Sequence, residues 1–180
     1  MKNKKLLLGI AWAWLTCLSA NAEVKLPAFF SDGMVMQQQT RVNLWGTATP
    51  DAPVKITTSW DKQTYKTTAD AKGAWKLALS TPSAGGPYTI TFDDGKLTEI
   101  RDILMGELWL CSGQSNMEMP MKGFKNQPVE NSNTDVMNSR NPQLRLFTVK
   151  RSSSFTPKTD VVGTWQEAVP ATVREFSATA

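Results

Sequence analysis

From Val24 to about Ile103 apolar and polar residues alternate in short runs, and each run ends in residues that favour turns. Alternation with period two places one set of side chains on one face of a strand and the other set on the opposite face, a pattern no helix satisfies. Arg41–Gly46, Val54–Trp60, Thr64–Ala69, Ala74–Leu79 and Tyr88–Phe92 all read this way. Thr49-Pro50-Asp51-Ala52-Pro53, Asp70-Ala71-Lys72-Gly73, Gly85-Gly86-Pro87 and Asp93-Asp94-Gly95-Lys96 separate them, with glycine supplying positive φ in the tight turns. Short strands at regular spacing predict an antiparallel β-sandwich over residues 23–103. Trp45, Trp75, Tyr88 and Phe92 fall in these strands as core residues, with an aromatic platform for a sugar ring as the alternative.

The pattern changes near Ile103. Glu107-Leu108-Trp109-Leu110-Cys111 is almost continuously apolar, as in a strand buried on both faces of a parallel sheet. Met117–Asn141 is polar and predicts a long loop with a short helix around Val129–Ser139. Leu144–Val149 is a second strand candidate and Val161–Trp165 a third short segment. The predicted fold class is therefore mixed β and α/β. Residues 104–180 read as the start of an α/β domain and are too few to complete a doubly wound one. Phe176–Ala180 carries no helix-stop signal, so the expectation is of a chain cut inside an element.

Residues 1–22 read as a secretory signal: Lys2, Lys4 and Lys5, a mostly apolar run from Leu6 to Leu18, then Ala20-Asn21-Ala22 as a small-x-small cleavage site. The run is short for a membrane span. Export to the periplasm or the extracellular space is expected, with no stable span after cleavage. Thr16 before Cys17 argues against a lipoprotein signal. The formal charge is +4, but residues 1–22 hold three of the 20 Lys and Arg and none of the 16 Asp and Glu, so the remainder carries +1. Nothing resembles a nucleic-acid-binding stripe. Without Cys17, Cys111 stands alone, cannot form an internal disulfide, and is read as a buried small apolar residue.

The apolar run ends in Ser112-Gly113-Gln114-Ser115-Asn116. A turn after a strand lifts a serine Oγ clear of the backbone and leaves main-chain N–H groups to face a developing oxyanion. Ser115 is the candidate nucleophile, with its own N–H as an oxyanion donor. Gln114 and Asn116 are candidate substrate-binding residues. Met117 stands where the G-x-S-x-G elbow has its second glycine. A serine needs a base to take its proton, yet the chain has no histidine. Lys122 is the nearest lysine, but its polar neighbours Gly123 and Lys125 favour a solvated charge.

Gly106-Glu107-Leu108-Trp109-Leu110-Cys111-Ser112-Gly113-Gln114-Ser115-Asn116-Met117-Glu118 closely resembles the first block of the sialate O-acetylesterase family, a branch of the SGNH hydrolases. Leu26–Gln37, the Asp70/Gly73/Trp75 turn, Ala84–Tyr88 and Trp165 followed by Phe176–Ala180 also resemble that family, the last as the start of a helix. The resemblance implies a sandwich followed by the beginning of an SGNH-type α/β domain. It implies Ser115 as nucleophile, acetyl removal from sialic acids or related glycans through an acyl-enzyme, and neither metal nor cofactor. The family's later oxyanion donors and its Asp-x-x-His pair have no matching positions, which implies an amino-terminal fragment inactive on its own. Acetyl xylan is an alternative substrate, and a non-catalytic carbohydrate-binding or structural module is the alternative of another class. Oligomeric state is not legible.

Overall fold

The computed structural model describes residues 23–179, so the export signal and its cleavage site lie outside the described residues. Seven strands come first: β1 (Val35–Gln37), β2 (Arg41–Thr47), β3 (Pro53–Thr58), β4 (Thr64–Thr68), β5 (Ala74–Ser80), β6 (Gly85–Asp93) and β7 (Leu97–Gly106). Then follow α1 (Ser115–Glu118), α2 (Ser132–Met137), β8 (Asn141–Phe147), β9 (Trp165–Ala168) and α3 (Pro170–Val173). The main sheet is mixed, in the order β1-β7-β6-β3-β4, with β1 parallel to β7 and the other pairs antiparallel. β2 and β5 pair as an antiparallel ribbon, and so do β8 and β9.

Alternation explains which faces are buried. In β3, Val54, Ile56 and Thr58 point inward while Lys55 and Thr57 point out. Ile90 and Phe92 of β6, Ile100, Ile103 and Met105 of β7, and Leu44, Trp75 and Leu79 of the β2–β5 ribbon join them in one core. Asp70 closes the β4–β5 turn by accepting the N–H groups of Lys72 and Ala74, and Gly73 takes φ +82°. Trp75 and Phe92 are buried outright. Trp45 and Tyr88 are half-buried and pack against the same core, and Trp45 also lines the large open cavity.

Several segments differ from the reading above. Gly85-Gly86-Pro87 does not separate strands: it is the irregular start of β6, where the register against β7 shifts. β7 runs without a break to Gly106, through the position of the pattern change. Glu107–Cys111 is not a buried strand. No strand among the described residues pairs with it, its hydrogen bonds there being those of Glu107 and Leu108 to the Gln37 and Gln38 side chains, and Trp109 and Leu110 are 81% and 93% exposed. Cys111 is exposed for the same reason. The two later strands are shifted to Asn141–Phe147 and Trp165–Ala168, and they pair with each other antiparallel. Phe176–Thr179 is not helical, because it pairs alongside Pro120 instead of coiling on itself.

The segment Leu26–Gln37 joins the first seven strands to the β8–β9 hairpin. The Phe29 ring lies 5.3 Å from Trp165 and 5.6 Å from Phe147, centroid to centroid. The Trp165 indole N–H donates to the Phe29 carbonyl at 2.8 Å, and the Trp45 indole donates to the Thr159 carbonyl at 2.9 Å. Arg145 of β8 reaches Asp102 of β7 at 2.9 Å. The Trp165 indole and the Arg145 guanidinium are buried and need such partners, so this seam is held by polar contacts of defined direction as well as by ring packing.

Candidate active site

Ser115 sits on the first residue of α1, a single helical turn. Gln114 precedes it as the N-cap, and its carbonyl accepts the N–H groups of Met117 and Glu118. A helix leaves its first N–H groups without intrahelical acceptors. Those of Ser115 and Asn116 meet no acceptor among the described residues. The Ser115 side chain is exposed, and its Oγ has no hydrogen-bond partner among the described residues. The three residues singled out from the sequence, Gln114, Ser115 and Asn116, are thus together on an accessible turn.

That turn is held from two sides. Upstream, Glu107 accepts from Gln37 Nε2 at 3.0 Å and Gln38 Nε2 at 2.8 Å, while Gln37 Oε1 accepts the Leu108 N–H at 2.9 Å. The hydrogen bond from Gln37, then that from Gln38, holds the Glu107 carboxyl below its ordinary range. Downstream, residues 174–179 run beside 116–122. Met121 N–H donates to Phe176 O, Lys122 N–H to Arg174 O, and Ala178 N–H to Met119 O. Thr179 Oγ1 donates to the Asn116 carbonyl at 3.2 Å. Arg151 Nη1 meets both oxygens of Glu118, at 3.0 and 3.1 Å. These supporting residues were missed in the sequence. The alternation of Phe176 and Ala178 with Ser177 and Thr179 is the one local sign of extended structure there.

Ser115 opens onto a cavity of about 2240 Å³ lined by Trp109, Glu118, Leu144, Phe147, Arg151 and other residues. Small-ligand pockets are usually about 300–1,000 Å³, so this is a broad open face rather than a closed pocket. Lys122 does not serve as a base here. Its ammonium pairs with Glu175 at 2.5 Å on the surface, with both side chains substantially exposed. The described residues include no group of three His, Cys, Asp or Glu placed to hold a metal ion.

No family model matches the chain. Sialate O-acetylesterases do match: that of Mus musculus is 30% identical over 141 residues, or 73% of this chain and 25% of that protein. That of Homo sapiens is 31% identical over 131 residues, covering 67% and 25%. The chain is related to the sialate O-acetylesterases. The Pongo abelii protein is 29% identical over 154 residues, so the chain spans between 25% and 29% of the length of these relatives. Among solved structures, a novel carbohydrate acetylesterase from Xanthomonas citri superposes with a TM-score of 0.79 at 34% identity, over 87% of this chain and 35% of that one. Its similarity extends the relationship from sequence to the strand-rich architecture described above.

Proposed function

We propose that residues 23–180 form part of a serine carbohydrate esterase that removes acetyl groups from sialic acids or related glycans. The reading rests on one observation above the others: a free serine hydroxyl stands at the edge of an open cavity, beside two main-chain N–H groups without acceptors. The names of the related proteins support the substrate class. In this reading the first seven strands are a β-sandwich and the rest opens an SGNH-type α/β domain. Ser115 Oγ attacks the acetyl carbonyl carbon and its proton passes to a base. The N–H groups of Ser115 and Asn116 face the oxyanion, and the sugar hydroxyl leaves as the acyl-enzyme forms. Water then attacks that ester and releases acetate. The base is an imidazole that residues 1–180 do not contain. Gln114 and Asn116 bind the sugar at the rim. The amino-terminal reading adds export to the periplasm or beyond.

The test is Ser115→Ala in the protein expressed from its complete reading frame, assayed on O-acetylated sialic acid and on acetyl xylan. Loss of the nucleophile lowers kcat by on the order of 10³-fold or more. Near-normal turnover refutes the assignment, and the ratio between the two substrates identifies the sugar. The absence of histidine favours a second reading for this stretch, a non-catalytic glycan-binding module. Glycan binding by the complete protein without any ester turnover would establish that reading instead.

A further inference from the structure

The approach to the nucleophile is anchored at one place. Between Gly106 at the end of β7 and Gln114, the only hydrogen bonds among the described residues are those that Glu107 and Leu108 make with Gln37 and Gln38. Gln37 uses both ends of its amide: Nε2 donates to the Glu107 carboxylate and Oε1 accepts the Leu108 N–H. A planar amide bonded to one side chain and to the next residue's backbone fixes the direction in which the chain leaves the sheet. Gln38 Nε2 donates to the second oxygen of the Glu107 carboxylate, and its Oε1 accepts the Ala84 N–H at 2.7 Å. Both glutamines are themselves fixed. Gln37 is paired in register with Gly106, its carbonyl accepts from Thr81 Oγ1 at 2.7 Å, and the Gln38 N–H donates to the Gly106 carbonyl.

Resting on the reading of Ser115 as nucleophile, we propose that Gln37 and Glu107 are positioning residues for the reaction: their amide–carboxylate clamp sets the course of residues 107–114 and so the place of Ser115. Gln37 comes from the end of β1, far from Ser115 in sequence, and touches neither the serine nor the cavity mouth. Its effect is transmitted through the backbone at Leu108. Small displacements of a reacting group are costly, about 100-fold for 1 Å. A clamp at the start of an otherwise unsupported segment is where such displacements are controlled.

The hydrogen-bonding chemistry provides a test by exchange. Gln37→Glu sets two carboxylates against each other. Glu107→Gln leaves one acceptor where there were two, so its NH2 is set against the Nε2 donor of Gln37 or of Gln38, and one of the two must turn and release the backbone N–H it holds, that of Leu108 or of Ala84. The double variant Q37E/E107Q restores every partner, since the new carboxylate accepts from both the new amide and Leu108, and the new amide oxygen accepts from Gln38. In the protein expressed from its complete reading frame, each single variant is expected to lose about tenfold or more in kcat with KM little changed, and the double variant to recover most of it. Amide exchange at Leu108 should quicken in the single variants and slow again in the double. Singles with normal kcat and normal exchange overturn the proposal, as does a double variant no better than the singles in both readouts. If Ser115→Ala keeps full activity, the nucleophile reading fails by itself. In that event quickened and restored exchange still supports the clamp, and unchanged exchange overturns it.

Discussion

Replacing Arg145 with methionine tests the polar seam that ties β8 to the main sheet. The Arg145 side chain is only 7% exposed, and its guanidinium contacts Asp102 at 2.9 Å and Glu167 at 3.9 Å. It also donates to the Pro142 carbonyl. Methionine keeps an unbranched stem beside Gly33 and Trp165 while removing the charge and all three contacts. Stripping one member of a fully buried ion pair costs about 3–5 kcal/mol, because the other charge stays stranded. Here Asp102 and Glu167 are 52% and 48% exposed, so water takes over their solvation and the cost falls. What remains is the strong hydrogen bond to Asp102, the weaker Glu167 pair and the bond to the Pro142 carbonyl, together about 1–3 kcal/mol. For a domain of this size that lowers Tm by roughly 2–12 °C. Asp102→Asn is the control. Asn still accepts from Arg145 and tolerates the φ of +55° found there, so its effect should be the smaller of the two. Thermal unfolding of the protein and both variants reads the result. An Arg145→Met variant melting within 1 °C of the parent, or an Asp102→Asn variant at least as destabilised, refutes the reasoning.

Residues 1–180 expressed alone should not turn over an activated acetate ester, since no imidazole is present to activate Ser115; turnover that vanishes in Ser115→Ala contradicts this. The Glu107 carboxyl, held low by the amides of Gln37 and Gln38, should titrate below an ordinary glutamate in a carbon NMR experiment. The sign follows from linkage: its contribution is complete above the unfolded-state pKa and is lost as pH falls through the lower folded value. An inflection at or above the ordinary glutamate value would exclude the clamp. Gly46→Ala should destabilise by about 1–3 kcal/mol through overpacking, because a Cβ there meets the Lys25 carbonyl at 2.5 Å and the Trp75 ring at 2.9 Å. An unchanged Tm would show that the strand does not pass that close.

Strand positions from β2 to β5 were legible because one buried face writes a period of two into the residues themselves, as in Val54, Ile56 and Thr58. The turn at Asp70–Gly73 was legible because its geometry uses a side-chain acceptor and a positive φ that only a few residue types supply. β1 was not, since three residues are too few to show a period.

The amino-acid sequence by itself determined that Ser115 lies in a polar turn after an apolar run, and that residues 1–180 hold no histidine. Both are properties of residue order and composition. Only the tertiary structure decided that Trp109 and Leu110 lie open, because burial depends on what packs alongside and no strand among the described residues pairs with them. It also decided that Gln37 grips Leu108 and that Thr179 holds Asn116. Those contacts join residues more than sixty positions apart, a distance across which no local periodicity carries information.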